Sequence, residues 1–355
     1  MKGNLIEDRI AVFDILPAYM KFKVVCTSSL LGLTLVLGAM AQRNFPQPAP
    51  AKEVTVAAIP GVIAAGAQWK LVWQGSDNAD GIVGTKEGGL LFAQEQPSTI
   101  GMLDKDDKFS IFVRDTRGTG AVGIDSKGRV LGVERTCSDP GGNPEQCHEL
   151  PNLVVLWPTR QILASKVGDQ TFFRMGEVIA DMKGGAYFND DTPGVYYINA
   201  AGKVSLVAGK EVNTNGLALS PDEKTVYSTN GKTIVAFDAA PDGTTKNPRT
   251  FVTLEGGANG DGMCIDSAGR LYVTAGNTGI QVFSTEGKYL GSIPLPRSAS
   301  SCAFSGPDKK VLYAKGAGMT GPDGKEYRTP AGVRNNAKAI YRIDLIAQGF
   351  LGRAK

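Results

Sequence analysis

An all-β fold, specifically a six-bladed β-propeller, is predicted for this chain by three observations: a hairpin phrase that recurs six times, a spacing between copies that matches one propeller blade, and a composition rich in turn residues. The phrase is an apolar strand, a Gly or Asp/Lys turn and a second apolar strand. Its copies read GIVGTKEGGLLF (81–92), AVGIDSKGRVLGV (121–133), EVIADMKGGAYF (177–188), GLALSPDEKTVY (216–227), GMCIDSAGRLYV (262–273) and CAFSGPDKKVLY (302–313). Aligned on the second strand, Leu91, Leu131, Tyr187, Tyr227, Tyr272 and Tyr313 fall 40 to 45 residues apart, except for one gap of 56. A period of that size built from short strands marks four-stranded blades, each unable to bury both faces without its neighbours. The 45 Gly and 19 Pro punctuate the chain as tight turns between short strands do.

Each further stretch has a place in this scheme. KFSIFVRD (108–115), GVYYINAAGKVSLVA (194–208), TIVAFDAA (233–240) and GIQVFSTEGKYLGSIPL (279–295) supply outer strands by their alternation and central turns. The propeller is expected over 67–350; the segment 327–355 either packs beneath the ring or closes it, in which case NAKAIYRIDL (336–345) supplies a strand beside WKLVWQ (69–74). A β-sandwich explains neither the copy number nor the period.

A chain of 355 residues with 42% hydrophobic and 21% charged residues buries a large core, and a net charge of +3 with scattered basic residues excludes a nucleic-acid surface. Lys21 and Lys23 precede an apolar run from Val24 to Ala41 that ends in Ala39-Met40-Ala41, the pattern of a secretory signal. Residues 1–41 are therefore expected to be a signal peptide, with Met20 as an alternative start, and 42–66 a Pro/Ala-rich linker and lead-in. The chain is then exported, periplasmic or secreted, with no stable membrane association after cleavage; an uncleaved anchor is the alternative. Cys137 and Cys147 in CSDPGGNPEQC are placed to form a disulfide in an oxidising compartment, whereas Cys264 and Cys302 read as buried small hydrophobes.

In a propeller, equivalent residues at the head of the repeated hairpin ring the central channel. Eleven or twelve places before each aligned position stand Asp80, Gly120, Gly176, Asn215, Asp261 and Ser301. Two carboxylates and an amide converging on one axis suit a hard divalent cation such as Ca²⁺, able to polarise a carbonyl or acidify a bound water. The pairs Asp-Gly and Asn-Gly at 80–81, 215–216 and 261–262 also serve as ordinary turn formers. Their common phase in a six-fold repeat favours the cation.

At these residues the chain resembles the SMP-30/gluconolactonase family, calcium-dependent lactonases related to regucalcin. The resemblance is carried by TNGLALSPDEKTVYSTN (214–230), GDGMCIDSAGRLYVTAGNTGIQVFSTEGKYLGSIPLP (260–296) and SSCAFSGPDKKVLY (300–313), and runs more weakly back to residue 70. It implies metal ligands at Asp80, Asn215 and Asp261, with Asp80 in place of the family's Glu. Where the family has Asn then Asp in its third blade, this chain has Gly176 and Glu177, so substrate binding differs. Arg174 matches an Arg that contacts the sugar acid in some members, and Glu177 is placed to replace the lost contact; both also fit a surface ion pair. Glu134 and Arg135 are further candidates for the substrate.

The expected function is a metal-dependent hydrolase, a gluconolactonase-like lactonase that opens a lactone or ester by metal-activated water, with Asp261 or Glu177 as proton acceptor. The alternative is an exported, non-catalytic propeller that keeps the metal and binds a small molecule or partner. His148 is the chain's one histidine and lies in the cysteine loop, which leaves a Ser-His-Asp triad and a quinone-dependent dehydrogenase unsupported.

Overall fold

The computed structural model describes residues 51–75, 78–135, 149–191, 194–209, 212–317 and 338–355. The expected signal segment, the Cys137–Cys147 pair and His148 lie outside them. Six four-stranded antiparallel sheets form the blades, and in the first five the sequence order of strands is the order outward from the channel. Ile82–Gly84, Thr119–Ile124, Met175–Ala180, Leu217–Leu219, Met263–Ile265 and Ser298–Ser305 are the innermost strands of blades one to six. The ring is closed by the C-terminal strand: Lys338–Asp344, third in the sixth blade, pairs with Lys70–Gly75, which becomes its outermost strand.

The repeated phrase folds as its chemistry dictates. In AVGIDSKGRV the Asp125 carboxylate accepts the backbone N–H of Lys127 and Arg129, and Gly128 takes φ 76° to complete the turn. Asp181 with Gly184 and Asp266 with Gly269 repeat the device in the third and fifth blades. These turns all lie at the channel end opposite the residues that precede the innermost strands.

Apolar residues of facing sheets meet between neighbouring blades, and each blade interface carries its own cluster. Leu131, Val155, Val178 and Phe188 pack between the second and third, for example, and Tyr187, Tyr197, Leu217 and Val235 between the third and fourth. The lead-in is packed where it is described: Val56, Ile59, Val62 and Ile63 are buried with Tyr272, Leu312 and Tyr341 between the fifth and sixth blades. Cys264 and Cys302 are buried, as their surroundings predict, and also adjacent, with 3.3 Å between their sulfurs on the innermost strands of these two blades.

Glycine follows each of the three polar residues at the channel because neighbouring blades touch there, not to supply a positive φ. A methyl on Gly81 would meet Ala121 Cα at 2.6 Å, one on Gly262 would meet Ser301 Cα at 2.9 Å, and one on Gly216 would meet the Asp261 carbonyl oxygen at 2.1 Å. Since that last neighbour is backbone, Gly216→Ala is expected to cost about 1–3 kcal/mol of stability, read as a lower urea midpoint with an unchanged slope.

Candidate functional site

Asp80, Asn215 and Asp261 come together at one end of the channel, as their phase in the repeat predicts. They line a polar cavity of about 250 Å³ with Arg174, Gly176 and Glu177. Glu134 does not reach it: both its carboxylate oxygens take Arg160 at 2.7 Å, at the end of the second blade's second strand. Arg174 borders the cavity half-exposed and pairs with Asp191 at 3.4 Å.

Position 176 has a structural explanation. Asn189 Oδ1 accepts the N–H of Gly176 at 3.0 Å and of Glu177 at 2.6 Å, while its amide donates to the Asn215 carbonyl at 2.6 Å. A methyl on residue 176 would sit 2.9 Å from Asn189 Oδ1, so the Asn189 amide stands in the room a side chain there would need. Thr229 and Thr274, two places after the aligned tyrosines like Asn189, brace their own blades: Thr229 Oγ1 accepts Asn215 N–H at 2.8 Å, and Thr274 Oγ1 donates to the Gly262 carbonyl at 2.8 Å.

The sixth blade carries Lys315 at that place, and this changes the site. Lys315 Nζ donates to Asp80 Oδ1 at 2.7 Å, and Arg135, extending through the room left by Gly120, donates to Asp80 Oδ2, Glu95 Oε1 and the Met175 carbonyl. Lys338 also borders the cavity. Burial favours the neutral Asp80 carboxyl, yet the Lys315 and Arg135 cations override it and hold Asp80 well below the usual carboxylate range. Burial pushes the Lys338 ammonium down to about 8, helped by repulsion from Lys315 and opposed by Asp80 and Asp261.

Asp261 differs from both other acids. Its carboxylate makes no hydrogen bond among the described residues, and burial pushes its pKa up to about 6, against the pull of Lys315 and with the repulsion of Asp80 and Glu177. Glu177 is buried and committed: Oε2 accepts Lys355 Nζ at 2.7 Å. Lys355 reaches it at the end of a segment held across the hairpin turns of the opposite face, where Lys309 Nζ donates to the Ala354 carbonyl at 3.0 Å and Arg353 meets Glu223 at 3.3 Å. That face bears a larger cavity of about 1110 Å³, where the turn carboxylates Asp125 and Asp181 are already bonded to their own backbone.

The donor set does not fit a resident divalent cation. Asn215 and Asp261 offer an amide and a carboxylate oxygen, but both Asp80 oxygens accept from cationic side chains. An ammonium and a divalent ion 4 Å apart repel by about 8 kcal/mol even at an effective dielectric of about 20. Lys315 was the residue that the repeat alignment missed; its signal was a lysine inside the apolar strand VLYAKGA.

Residues 154–317 match the model of the SMP-30/gluconolactonase/LRE-like region. Among curated proteins the chain is similar to the pentonolactonase XacC of Haloferax volcanii, 29% identical over half of this chain and 64% of that protein. It is also similar to lactonase drp35 of Staphylococcus saprophyticus, 28% identical over 66% of this chain and 78% of that one, and to regucalcin of Xenopus laevis, 27% identical over 65% and 80%. The chain thus spans just under two thirds of the pentonolactonase. Its fold is that of a gluconolactonase from Xanthomonas campestris, with a TM-score of 0.64 and 19% identity over 84% of this chain and 97% of that one.

Proposed function

We propose, for a chain whose residues 154–317 match the model of the SMP-30/gluconolactonase/LRE-like region, that the channel-end cavity hydrolyses a small lactone. The observation that carries this reading is Asp261, a carboxylate without a hydrogen-bond partner among the described residues, facing fixed cations across a polar cavity. That pairing serves acyl hydrolysis. The carboxylate takes a proton from water as its oxygen bonds to the lactone carbonyl carbon; the cations stabilise the negative charge that develops on the carbonyl oxygen. The ring C–O bond then breaks, and the proton passes from Asp261 to the departing alkoxide, giving the open hydroxy acid. Glu177, held by Lys355, is the poorer base. Arg174 at the rim is placed to bind hydroxyl groups of a sugar lactone.

The lactonase relatives support a lactone as the substrate class, and no step uses a metal ion. The apolar run before Ala41 supports work outside the cytoplasm. The non-catalytic alternative rests on Gly176, whose surroundings are filled by Asn189 and leave no polar side chain for substrate at that place. A panel of aldono- and acyl-lactones, followed by proton release, separates the two. Turnover of at least one lactone above its spontaneous rate is expected; a silent panel supports the binding protein.

A further inference from the structure

We infer that the sixth-blade wall of the cavity, Lys315 with Ser301 and Lys338, is a built-in anion seat that takes the place of a bound metal, receiving the lactone carbonyl oxygen as it becomes anionic and then the carboxylate of the product. The inference rests on the hydrolase reading for its substrate and on separate observations for its geometry.

Ser301 and Lys315 are direct partners in the ladder between Ser298–Ser305 and Val311–Ala317, so both side chains stand on one face of the blade. Lys315 faces Ile340 across the next ladder, which makes Lys338 its diagonal neighbour. All three border the cavity. Ser301 is 3% exposed, and its buried hydroxyl has no hydrogen-bond partner among the described residues. Buried hydroxyls are bonded in the large majority of cases, so an acceptor arriving in the cavity completes this one.

Charge points the same way. Asp80, Glu95 and Glu177 are each bonded to a cationic side chain, by Arg135, Lys315 and Lys355 between them. Lys338 has no hydrogen bond or ion pair among the described residues, and its ammonium is repelled by Lys315. An oxyanion set against Lys315 and Lys338 relieves that repulsion; a divalent cation adds to it. At the same place in the third, fourth and fifth blades stand Asn189, Thr229 and Thr274, none of them cationic: the threonines bond to their own blades, and Asn189 to its own and to Asn215 of the fourth. The seat therefore belongs to the sixth blade among these.

Calorimetry on the full chain tests the seat with two probes, sodium gluconate and calcium chloride, beside metal analysis of the purified protein. The wild type is expected to bind gluconate and to carry no stoichiometric calcium. Lys315→Thr, which installs the residue of the fourth and fifth blades, is expected to weaken gluconate binding by about tenfold or more, as loss of a charge-assisted bond does. Ser301→Ala leaves no group unpaired, so it keeps the test open if Lys315→Thr folds poorly; it is expected to weaken gluconate binding about threefold to tenfold. One calcium ion per chain that a chelator removes, no gluconate binding by the wild type, or unchanged binding by Ser301→Ala overturns the seat. Failure of the hydrolase reading looks different: gluconate binds, the variants weaken it, and no lactone turns over.

Discussion

Asp261→Asn is expected to lower kcat/KM for lactone hydrolysis by about 10²–10⁴-fold, the usual range for loss of a positioned general base. The substitution keeps size and an oxygen at the same place. It removes a carboxylate that has no hydrogen-bond partner to leave stranded among the described residues, so the thermal midpoint is expected to hold. The pH profile gives a second readout. Burial raises the Asp261 carboxyl to about 6, and a base acts only when ionised, so wild-type kcat/KM should be level from there to the Lys338 titration near 8 and fall by about tenfold per unit as pH drops below 6. The variant should lose that acid limb along with the rate. A full rate in the variant with the limb intact assigns the proton transfer to another group.

Arg135→Met should have the largest effect on stability, a loss of about 3–5 kcal/mol in urea denaturation, because it breaks buried ion pairs from one side. Arg135 is 4% exposed, rises from the second blade, and holds Asp80 and Glu95 of the first and the Met175 carbonyl of the third. Without it both carboxylates lose the guanidinium, while Asp80 retains Lys315 and Glu95 the amide of Asn78. Arg174→Met is the contrast. Its pair with Asp191 is a third or more exposed on both sides, and its removal should change stability by about 1 kcal/mol or less.

The architecture was legible because a propeller repeats its chemistry at a fixed period. Six hairpins and the phase that unites Asp80, Asn215 and Asp261 are present in the spacing of apolar and turn residues, whereas the closure of Lys338–Asp344 on Lys70–Gly75 joins strands from opposite ends of the repeat that no period pairs. The electrostatics of the site were not legible there. Lys315 meets Asp80 across 235 residues and Lys355 meets Glu177 across 178, and no local pattern records either pair. A comparison confined to the head of each hairpin samples the residues that precede the first strand and leaves out the second strand's end. There Thr229 and Thr274 brace their own blades, Asn189 ties the third to the fourth, and Lys315 crosses to the first. Family resemblance carried the ligand positions but not the side chains that face them, and those decide whether the three oxygens hold a cation or bond to fixed ammonium and guanidinium groups. Arg174 and Glu177, which the sequence alone allows to form a surface ion pair, pair instead with Asp191 and Lys355, and only Glu177 is buried.

The most direct test of a hydrolase working with its own side chains is the initial rate of lactone opening by the full chain after exhaustive chelation, measured by proton release beside Asp261→Asn under the same conditions. Retained wild-type turnover, with the variant close to the spontaneous rate, is the predicted result. Wild-type turnover that vanishes on chelation and returns with calcium, or a variant as fast as the wild type, would contradict it.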